Sequence, residues 1–241
     1  MMYSSLLREK GLLNLVGGMD YNFRLATAEE TFVSDVERLL EEAGMTGAVV
    51  YTGKQVHKAN VAYADGKNGE DFVIGRHFED TDGLITDQEN VALFIKYADC
   101  TPIVLFDPVE KVQASVHSGW RSTVQKIGQV AVEKMVKDFG CELENIVAYV
   151  GPSIEQAHYE VGPEVYEAFS GEADRDLYFK AHGEKYLLDM AEANVQLLIK
   201  SGILPENMDV ETAKTYTNKG LHSARKEGKE YGLNAIVTMI S

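Results

Sequence analysis

A cysteine and a histidine stand near the ends of two neighbouring predicted strands. The segment Asp107–Lys111 between those strands contains an Asp-Pro turn signal, which predicts a hairpin loop centred on Val109. Such a loop would place Cys100 opposite Ser118, the residue after His117. We therefore expect Cys100 and His117 to leave the open end of one hairpin close together. Because successive side chains of a strand point to opposite faces, their convergence would require the strand ends to bend.

A thiolate and an imidazole that converge can perform two kinds of chemistry. They can bind a metal ion such as zinc, or the imidazole can activate the thiol as a nucleophile. A buried cysteine beside a histidine can also be purely structural. His57 favours the metal site, because it follows a predicted strand over residues 48–52 and offers a third ligand beside Cys100 and His117. Three protein ligands leave one coordination position open, as a catalytic zinc requires.

Arg121 lies beside a predicted helix start. Ser122 and Gln125 have the spacing of a capping box, which predicts a helix over residues 123–139. Free N–H groups at a helix N-terminus and a nearby guanidinium both attract anions. We therefore expect a phosphate or a carboxylate to bind near Arg121, with Trp120, the only tryptophan, as a wall of the site.

Mixed helical and strand-like segments must position these residues. Hydrophobic periodicity predicts helices over residues 27–43, 123–139, 163–169 and 189–202. Apolar runs predict strands over residues 48–52, 84–86, 91–95, 102–106, 112–116, 145–150 and 235–240. Thr27 and Glu30 form a candidate capping box for the first helix, and Gly44 ends it. Because no linker or repeat interrupts the pattern, we predict a single domain over residues 1–241 with a mixed sheet.

The composition excludes several classes of partner. The chain has 241 residues, with 23 Lys and Arg against 38 Asp and Glu, so its formal net charge is −15. This acidity argues against a nucleic acid polymer or an anionic membrane surface as partner. Two cysteines are too few for a disulfide framework, and no apolar run reaches the ~20 residues of a membrane span. The apolar stretch at residues 12–16 is short and lacks a cleavage site, so we expect a soluble, cytoplasmic protein.

Common catalytic signatures are absent from the sequence. It contains no Walker loop, no H-E-x-x-H, no C-x-x-C, no G-x-S-x-G and no G-x-G-x-x-G. The sequence leaves the oligomeric state open.

Several motifs together resemble one known family, the bacterial laccase-domain proteins. This family is also called the multicopper polyphenol oxidase family, and its members are now mostly described as purine nucleoside phosphorylases. The matching segments lie in the same order along most of the chain: Gln55-Val56-His57, Thr81–Thr86, Ala98-Asp99-Cys100-Thr101-Pro102, His117-Ser118-Gly119-Trp120-Arg121, Gly151–Ile154, Tyr159–Gly162 and Ser223-Ala224-Arg225.

The resemblance implies a fold and an activity. The fold would be a single α+β domain with a mixed β-sheet core and helices packed outside. A zinc ion would be held by His57, Cys100 and His117. The activity would be phosphorolysis of adenosine, inosine, guanosine and methylthioadenosine with inorganic phosphate, together with hydrolytic deamination of adenosine.

For that activity the sequence offers further candidate residues. Asp99, beside Cys100, and Asp82 are candidates for the general acid or base, and the metal-bound thiolate is a third. Arg121 would bind phosphate, and Gln55 and Asn22 would contact the sugar or the base.

The chain departs from the family at four positions. Ser122 replaces a usual glycine, Ala157 and Tyr216 stand at or near usual cysteines, and Lys226 replaces an arginine. Lys226 keeps the charge but loses the planar fork of a guanidinium, so a bidentate contact there is in question.

Three alternatives remain open from the sequence. In the first, Cys100 and His117 form a cysteine-type amide hydrolase without a metal. The second is a copper-dependent polyphenol oxidase, because copper lies above zinc in the affinity series and could substitute for it during purification. Multi-copper oxidation needs several copper centres, however, and six histidines show no pattern for them. The third is a nucleoside sensor that binds without turnover.

Overall fold

The computed structural model describes residues 2–241. Over these residues the chain forms seven α-helices: α1 Ser5–Glu9, α2 Phe32–Ala43, α3 Trp120–Val124, α4 Ile127–Phe139, α5 Pro163–Ala168, α6 Met190–Lys200 and α7 Ala224–Glu227. Short 3₁₀ segments lie at Gln156–His158, Arg175–Leu177, Pro205–Asn207 and Gly228–Glu230. The strands are β1 Leu12–Gly17, β2 Val49–Gly53, β3 Val61–Tyr63, β4 Glu70–Phe72, β5 Gly75–Phe78, β6 Gly83–Thr86, β7 Val91–Tyr97, β8 Thr101–Asp107, β9 Val112–Ser118, β10 Val147–Val150, β11 Glu160–Val161, β12 Phe179–His182, β13 Lys185–Leu188, β14 Met208–Val210 and β15 Asn234–Ile240.

The strands form two six-stranded mixed sheets and one small sheet. The first sheet has the order β1-β15-β7-β2-β5-β4, and the second has the order β14-β10-β8-β9-β6-β3. In the first sheet β2 runs parallel to β5 and β7, whereas β15 is antiparallel to β1 and β7. The small sheet is β11-β13-β12.

The two large sheets pack face to face with helices outside them. Their apolar residues form one shared core, which includes Tyr51 and Leu93 of the first sheet and Val104 of the second. A hydroxyl contact of 3.0 Å between Ser115 and Thr238 also joins them. The outer face of the first sheet packs on α2, and that of the second packs on α4 and α6. The expected α+β class with a mixed β-sheet core and outer helices is confirmed, and two facing sheets form that core.

Two predicted helices have different bounds in the structure. Helix α2 begins at Phe32 rather than residue 27, and the Thr27 hydroxyl donates to the Arg24 carbonyl instead of capping a helix. Gly44 ends this helix in the left-handed conformation, as predicted. The helix predicted over residues 123–139 is divided into α3 and α4, because Lys126 adopts a left-handed backbone with φ 63°.

Candidate metal centre

Three side chains from separate parts of the chain converge at one end of the sheets. His57 follows β2, Cys100 directly precedes β8, and His117 lies in β9. The potential ligand atoms of the three residues all lie within 4.8 Å of one another. Within residues 2–241 this is the one group of at least three His, Cys, Asp or Glu residues with ligand spacing. The expected convergence is therefore present, and the cluster could hold a metal ion.

The register of the β8–β9 hairpin explains how Cys100 meets His117. Thr101 pairs with Ser118 and Pro102 pairs with His117, so the predicted pairing of Cys100 with Ser118 was wrong by one residue. The loop has four residues between the paired ends, and Lys111 takes a left-handed backbone. Cys100 is two residues from Pro102, so it shares the face of Pro102 and of its partner His117. The chain also bends at residues 98–100, directly before β8, where Asp99 has a left-handed backbone.

Asp82 holds both histidines of the cluster in place. Its side chain is fully buried, and its Oδ1 lies 2.9 Å from Nδ1 of His117. The same carboxylate accepts the backbone N–H groups of Val56, His57 and Lys58 at 2.9 to 3.0 Å. Burial by itself would raise the pKa of Asp82, but these hydrogen bonds, led by that from His117, lower it. Asp82 therefore remains a carboxylate that orients the ligands.

The two histidines have opposite pKa shifts. Burial opposes the charged form of His117, yet the neighbouring Cys100 and Asp82 raise its pKa to about 9. Burial lowers the pKa of His57, and the charges of His117 and Arg121 lower it further. In the absence of a metal, the cluster therefore favours a charged His117 beside a neutral His57.

The backbone at Gly119 passes so close to two of the proposed ligands that a side chain there would collide with them. His57 and Asp99 both have left-handed backbones, with φ of 60° and 77°. A Cβ atom on Gly119 would lie 2.6 Å from Nδ1 of His57 and 3.0 Å from Sγ of Cys100. The glycine after Ser118 therefore lets the chain pass against two ligands at once.

Asp99 is placed beside the cluster but faces other partners. Its Oδ1 accepts a hydrogen bond from the Thr215 hydroxyl at 2.6 Å, and its Oδ2 accepts the Arg225 N–H at 2.7 Å. The carboxylate is buried, and Asp99 is not among the residues that line the cavity described below. The catalytic role of Asp99 stays a prediction. Its contacts are those of a residue that holds the loop around Cys100 in position.

The structure brings Gln55 to the site but not Asn22. The Gln55 amide donates to the Lys96 carbonyl at 2.6 Å and accepts the Lys96 N–H at 3.0 Å, so both of its polar atoms bind protein backbone. Asn22 lies in a separate surface depression and accepts the N–H groups of Arg24 and Leu233. Substrate contacts by these two residues remain predictions.

Arg121 lies on another side of the cluster. It is exposed, and its guanidinium lies 4.2 Å from the centroid of the Trp120 ring. Helix α3 begins at Trp120, so the predicted start after Ser122 was wrong. The Ser122 hydroxyl accepts the Gly119 N–H at 2.9 Å.

A second arginine, Arg225, lies nearby, with its guanidinium 5.3 Å from the Tyr159 ring. The charges of Arg121 and Arg225 both act on Tyr159. Since α3 has only five residues, the guanidinium of Arg121 is its main attraction for an anion.

The cluster opens into a cavity of about 330 Å³. This volume is at the lower end of the range for small-ligand sites. The cavity is lined by Lys54, Gln55, His57, Lys96, Tyr97, Ala98, Cys100, His117, Tyr231 and Leu233. None of these residues is acidic, although the chain carries a net charge of −15.

Sequence reasoning missed Lys96 and Gly119 and left the role of Asp82 open. Lys96 interrupts the apolar run of β7, and a charge within a buried strand was a usable signal. Asp82 contacts residues that lie 24 to 35 positions away in the sequence, so no local pattern indicated these contacts.

Comparisons with known proteins agree with this fold. Residues 7–241 match the family described as multi-copper polyphenol oxidoreductase laccase. A protein named purine nucleoside phosphorylase from Bacteroides thetaiotaomicron is 36% identical over 63% of this chain, and adenosine deaminase RL5 from an unknown prokaryotic organism is 33% identical over 65% of it. The crystal structure of YlmD from Geobacillus stearothermophilus superposes with a TM-score of 0.87 at 22% identity, over 98% of this chain and 94% of that one.

The alignments with single relatives are shorter than the match to the family. The aligned segments span 57% of the Bacteroides protein and 60% of RL5, so they cover somewhat over half of each relative. The family match, in contrast, runs from residue 7 to the last residue and includes all three members of the His57–Cys100–His117 cluster. The chain belongs to the multi-copper polyphenol oxidoreductase laccase family.

Proposed function

We propose that this protein is a zinc-dependent purine nucleoside phosphorylase that accepts adenosine, inosine, guanosine and methylthioadenosine and also deaminates adenosine hydrolytically. The observation that carries the proposal is the convergence of two imidazoles and a thiol at the wall of a ligand-sized cavity without acidic lining residues. The names of the relatives supply the reaction class, because one is a purine nucleoside phosphorylase and another an adenosine deaminase.

The donor set fits a single zinc ion. Two nitrogen ligands and one sulfur ligand match the coordination chemistry of zinc, and three protein ligands leave a position for a reactant. Zinc, when bound, supplies Lewis-acid polarisation of a reactant atom. A multi-copper oxidase would need further copper centres, and the residues described by the structure contain one cluster.

The chain's own residues orient the ligands and bind the reactants. Asp82 engages Nδ1 of His117, so that Nε2 of the same ring is left for the cluster. In phosphorolysis, an oxygen of phosphate forms a bond to C1′ of the ribose while the bond from C1′ to N9 breaks. The electron pair of that bond goes to the purine, which takes up a proton. In deamination, water adds at C6 of adenine and ammonia leaves.

Metal analysis and nucleoside turnover in two variants test the proposal. Cys100→Ala and His117→Ala should each lose bound zinc and both activities. His182→Ala provides a matched control, because His182 is exposed and pairs only with Glu160. Undiminished zinc content and undiminished phosphorolysis in both cluster variants would refute the proposal.

A metal-independent cysteine hydrolase is the second candidate, favoured by the closeness of Cys100 to His117, whose pKa it helps to raise. The two functions respond differently to inhibitors. Chelation abolishes activity if zinc is required, whereas a cysteine hydrolase survives chelation and is blocked by iodoacetamide. Tight nucleoside binding without turnover under both conditions would instead support a sensor.

A further inference from the structure

We infer that Lys96 binds the phosphate co-substrate in the cavity beside the His57–Cys100–His117 cluster. The inference rests on the proposed phosphorylase function, and it assigns the phosphate site to a residue of β7 instead of Arg121.

Lys96 carries a charge that the protein itself does not balance. Within the described residues 2–241, its ammonium group has no ion pair and no hydrogen bond, although the protein contains 38 acidic residues. Its backbone lies in β7, between the buried residues Ile95 and Tyr97. Burial is the only cause acting on this group, and it lowers the pKa of Lys96. Lys96 is partly buried, and an unpaired charge in a cavity wall favours an anionic ligand.

The other charges around the cavity leave Lys96 as the residue suited to this role. Lys54 also lines the cavity, but its ammonium lies 2.8 Å from Glu79 and is exposed. His57 and His117 belong to the metal cluster. No residue that lines this cavity is a carboxylate, so an anion that enters it is attracted by Lys96.

Lys96 is also held in a defined position. The Gln55 amide binds both its N–H and its carbonyl group, as a neighbouring strand would. Strands β2 and β7 run parallel in a register that places residue 54 level with residue 96. The ammonium therefore projects from a fixed backbone.

A second, adjoining recess offers further donors beside Lys96. It has a volume of about 220 Å³ and shares Lys54 and Lys96 with the first cavity. Its one acidic lining residue, Glu79, is paired with Lys54 at 2.8 Å. Thr52 and His77 also line it, and the Thr52 hydroxyl and Nδ1 of His77 are buried without a hydrogen-bond partner. Thr52 is level with His77 in the β2–β5 register, so both side chains share the sheet face of Lys96. Phosphate oxygens at this junction would satisfy the orphaned hydroxyl as well as the ammonium.

Phosphate is the reactant that this charge fits, because purine nucleosides are neutral at pH 7. Arg121 is less suited, since it is exposed, stacks on Trp120 and does not line the cavity.

Steady-state kinetics of phosphorolysis test the inference with the zinc-loaded enzyme. Lys96→Gln should raise KM for inorganic phosphate about ten- to a hundredfold, because charged hydrogen bonds contribute that much to affinity. KM for the nucleoside and the rate of adenosine deamination, which uses no phosphate, should stay within about threefold of wild type. Lys96→Arg should recover part of the loss. Lys111→Gln is the matched control with little effect on KM for phosphate, because Lys111 is exposed, pairs with Glu89 and lines neither cavity.

Three kinetic results would overturn the inference. An unchanged KM for phosphate in Lys96→Gln is the first. The second is an equal loss of phosphorolysis and deamination, which would indicate a structural or nucleoside-binding role. The third is a rise in KM for phosphate in Arg121→Gln with none in Lys96→Gln.

A thermal unfolding measurement separates failure of this inference from failure of the proposed function. Inorganic phosphate should raise Tm of the wild type above its value in sodium chloride of equal ionic strength, and it should not raise Tm of Lys96→Gln. Without phosphate, Lys96→Gln should unfold at the same or a higher temperature than the wild type, because it removes an uncompensated charge. If the wild type phosphorolyses no purine nucleoside, the phosphate-specific rise still supports an anion site at Lys96. Its absence from the wild type overturns that site.

Discussion

Nδ1 of His117 lies 2.9 Å from Oδ1 of Asp82, and both side chains are buried. A carboxylate that engages one ring nitrogen of a histidine directs the other nitrogen toward a metal ion. Because Asp82 also accepts three backbone N–H groups from the His57 loop, one carboxylate positions two of the three proposed ligands. The metal affinity of the cluster should therefore depend on Asp82, although it is not itself a proposed ligand.

Asp82→Asn should weaken zinc binding by about ten- to a hundredfold, the range found when a carboxylate partner of a metal ligand is lost. Competition with a chromogenic chelator measures the affinity. Asp80→Asn is the matched control, because Asp80 is an exposed neighbour that pairs with Lys58. Equal zinc affinities in both variants would show that Asp82 does not orient the ligands.

Gly119→Ala should displace His57 or Cys100, because the new Cβ would lie 2.6 Å from Nδ1 of His57. We expect zinc affinity to fall by about tenfold or more, while the folded state loses about 1 kcal/mol or less of stability at this N-cap position. Gly171→Ala is the control, since a Cβ there meets no atom within 4 Å. Metal titration and urea unfolding give the two readouts. A Gly119→Ala protein that binds zinc like the wild type would contradict the close approach.

The two cysteines should differ in reactivity. Burial, with the nearby Asp107, raises the pKa of Cys141 to about 12, so its thiol stays protonated and inert at pH 8. Cys100 is partly exposed in the cavity wall. Mass spectrometry after iodoacetamide treatment of the metal-free native protein should find one modified residue, Cys100, and zinc should protect it. Labelling of Cys141 before unfolding would contradict its burial.

Asp99→Asn should decide whether Asp99 transfers a proton during the reaction or only holds neighbouring residues in position. Both carboxylate oxygens of Asp99 already accept hydrogen bonds, from Thr215 and from the Arg225 N–H. We expect the amide to destabilise the protein by about 1–3 kcal/mol, because one buried donor loses its acceptor. The pH profile of kcat/KM should keep its shape. Loss of one limb of that profile would instead identify Asp99 as the general acid or base. Thr215→Val should lower the stability by a similar amount. Combining it with Asp99→Asn should lower the stability no further than either substitution alone.

Glu172 should stabilise the fold in a pH-dependent way. Burial by itself would raise its pKa, but hydrogen bonds from Lys126 and Lys200 lower it. A lowered folded-state pKa gives stability that is present above the unfolded-state value of ~4.3 and is lost as pH falls through the folded-state value. Glu172→Gln should therefore cost about 1 kcal/mol at neutral pH and progressively less below about pH 4.

Urea unfolding at several pH values measures this dependence. Glu133→Gln is the control, because its pair with Lys137 is exposed on one helix. A Glu172→Gln deficit that persisted at low pH would contradict an ionic origin.

Local patterns were sufficient for much of the fold. Periodicity and capping residues predict two of the helices, the one that ends at Gly44 and the one capped by Asp189. The Asp189 side chain accepts the Glu192 N–H, as a capping residue should. The start of α2 was misplaced because Thr27 and Glu30 have the spacing of a capping box without its hydrogen bonds. The break between α3 and α4 was missed because a left-handed lysine has no sequence signature.

The sequence by itself indicated three candidate ligands. It also determined that Cys100 and His117 would lie near each other, because one short hairpin joins them. It did not determine the face on which each side chain lies. That depends on a register difference of one residue, set by the geometry of the 108–111 loop. The Asp82 contacts and the position of Lys96 between two cavities also depend on tertiary structure. Such contacts join strands distant in sequence, so only the packing of the two sheets decides them.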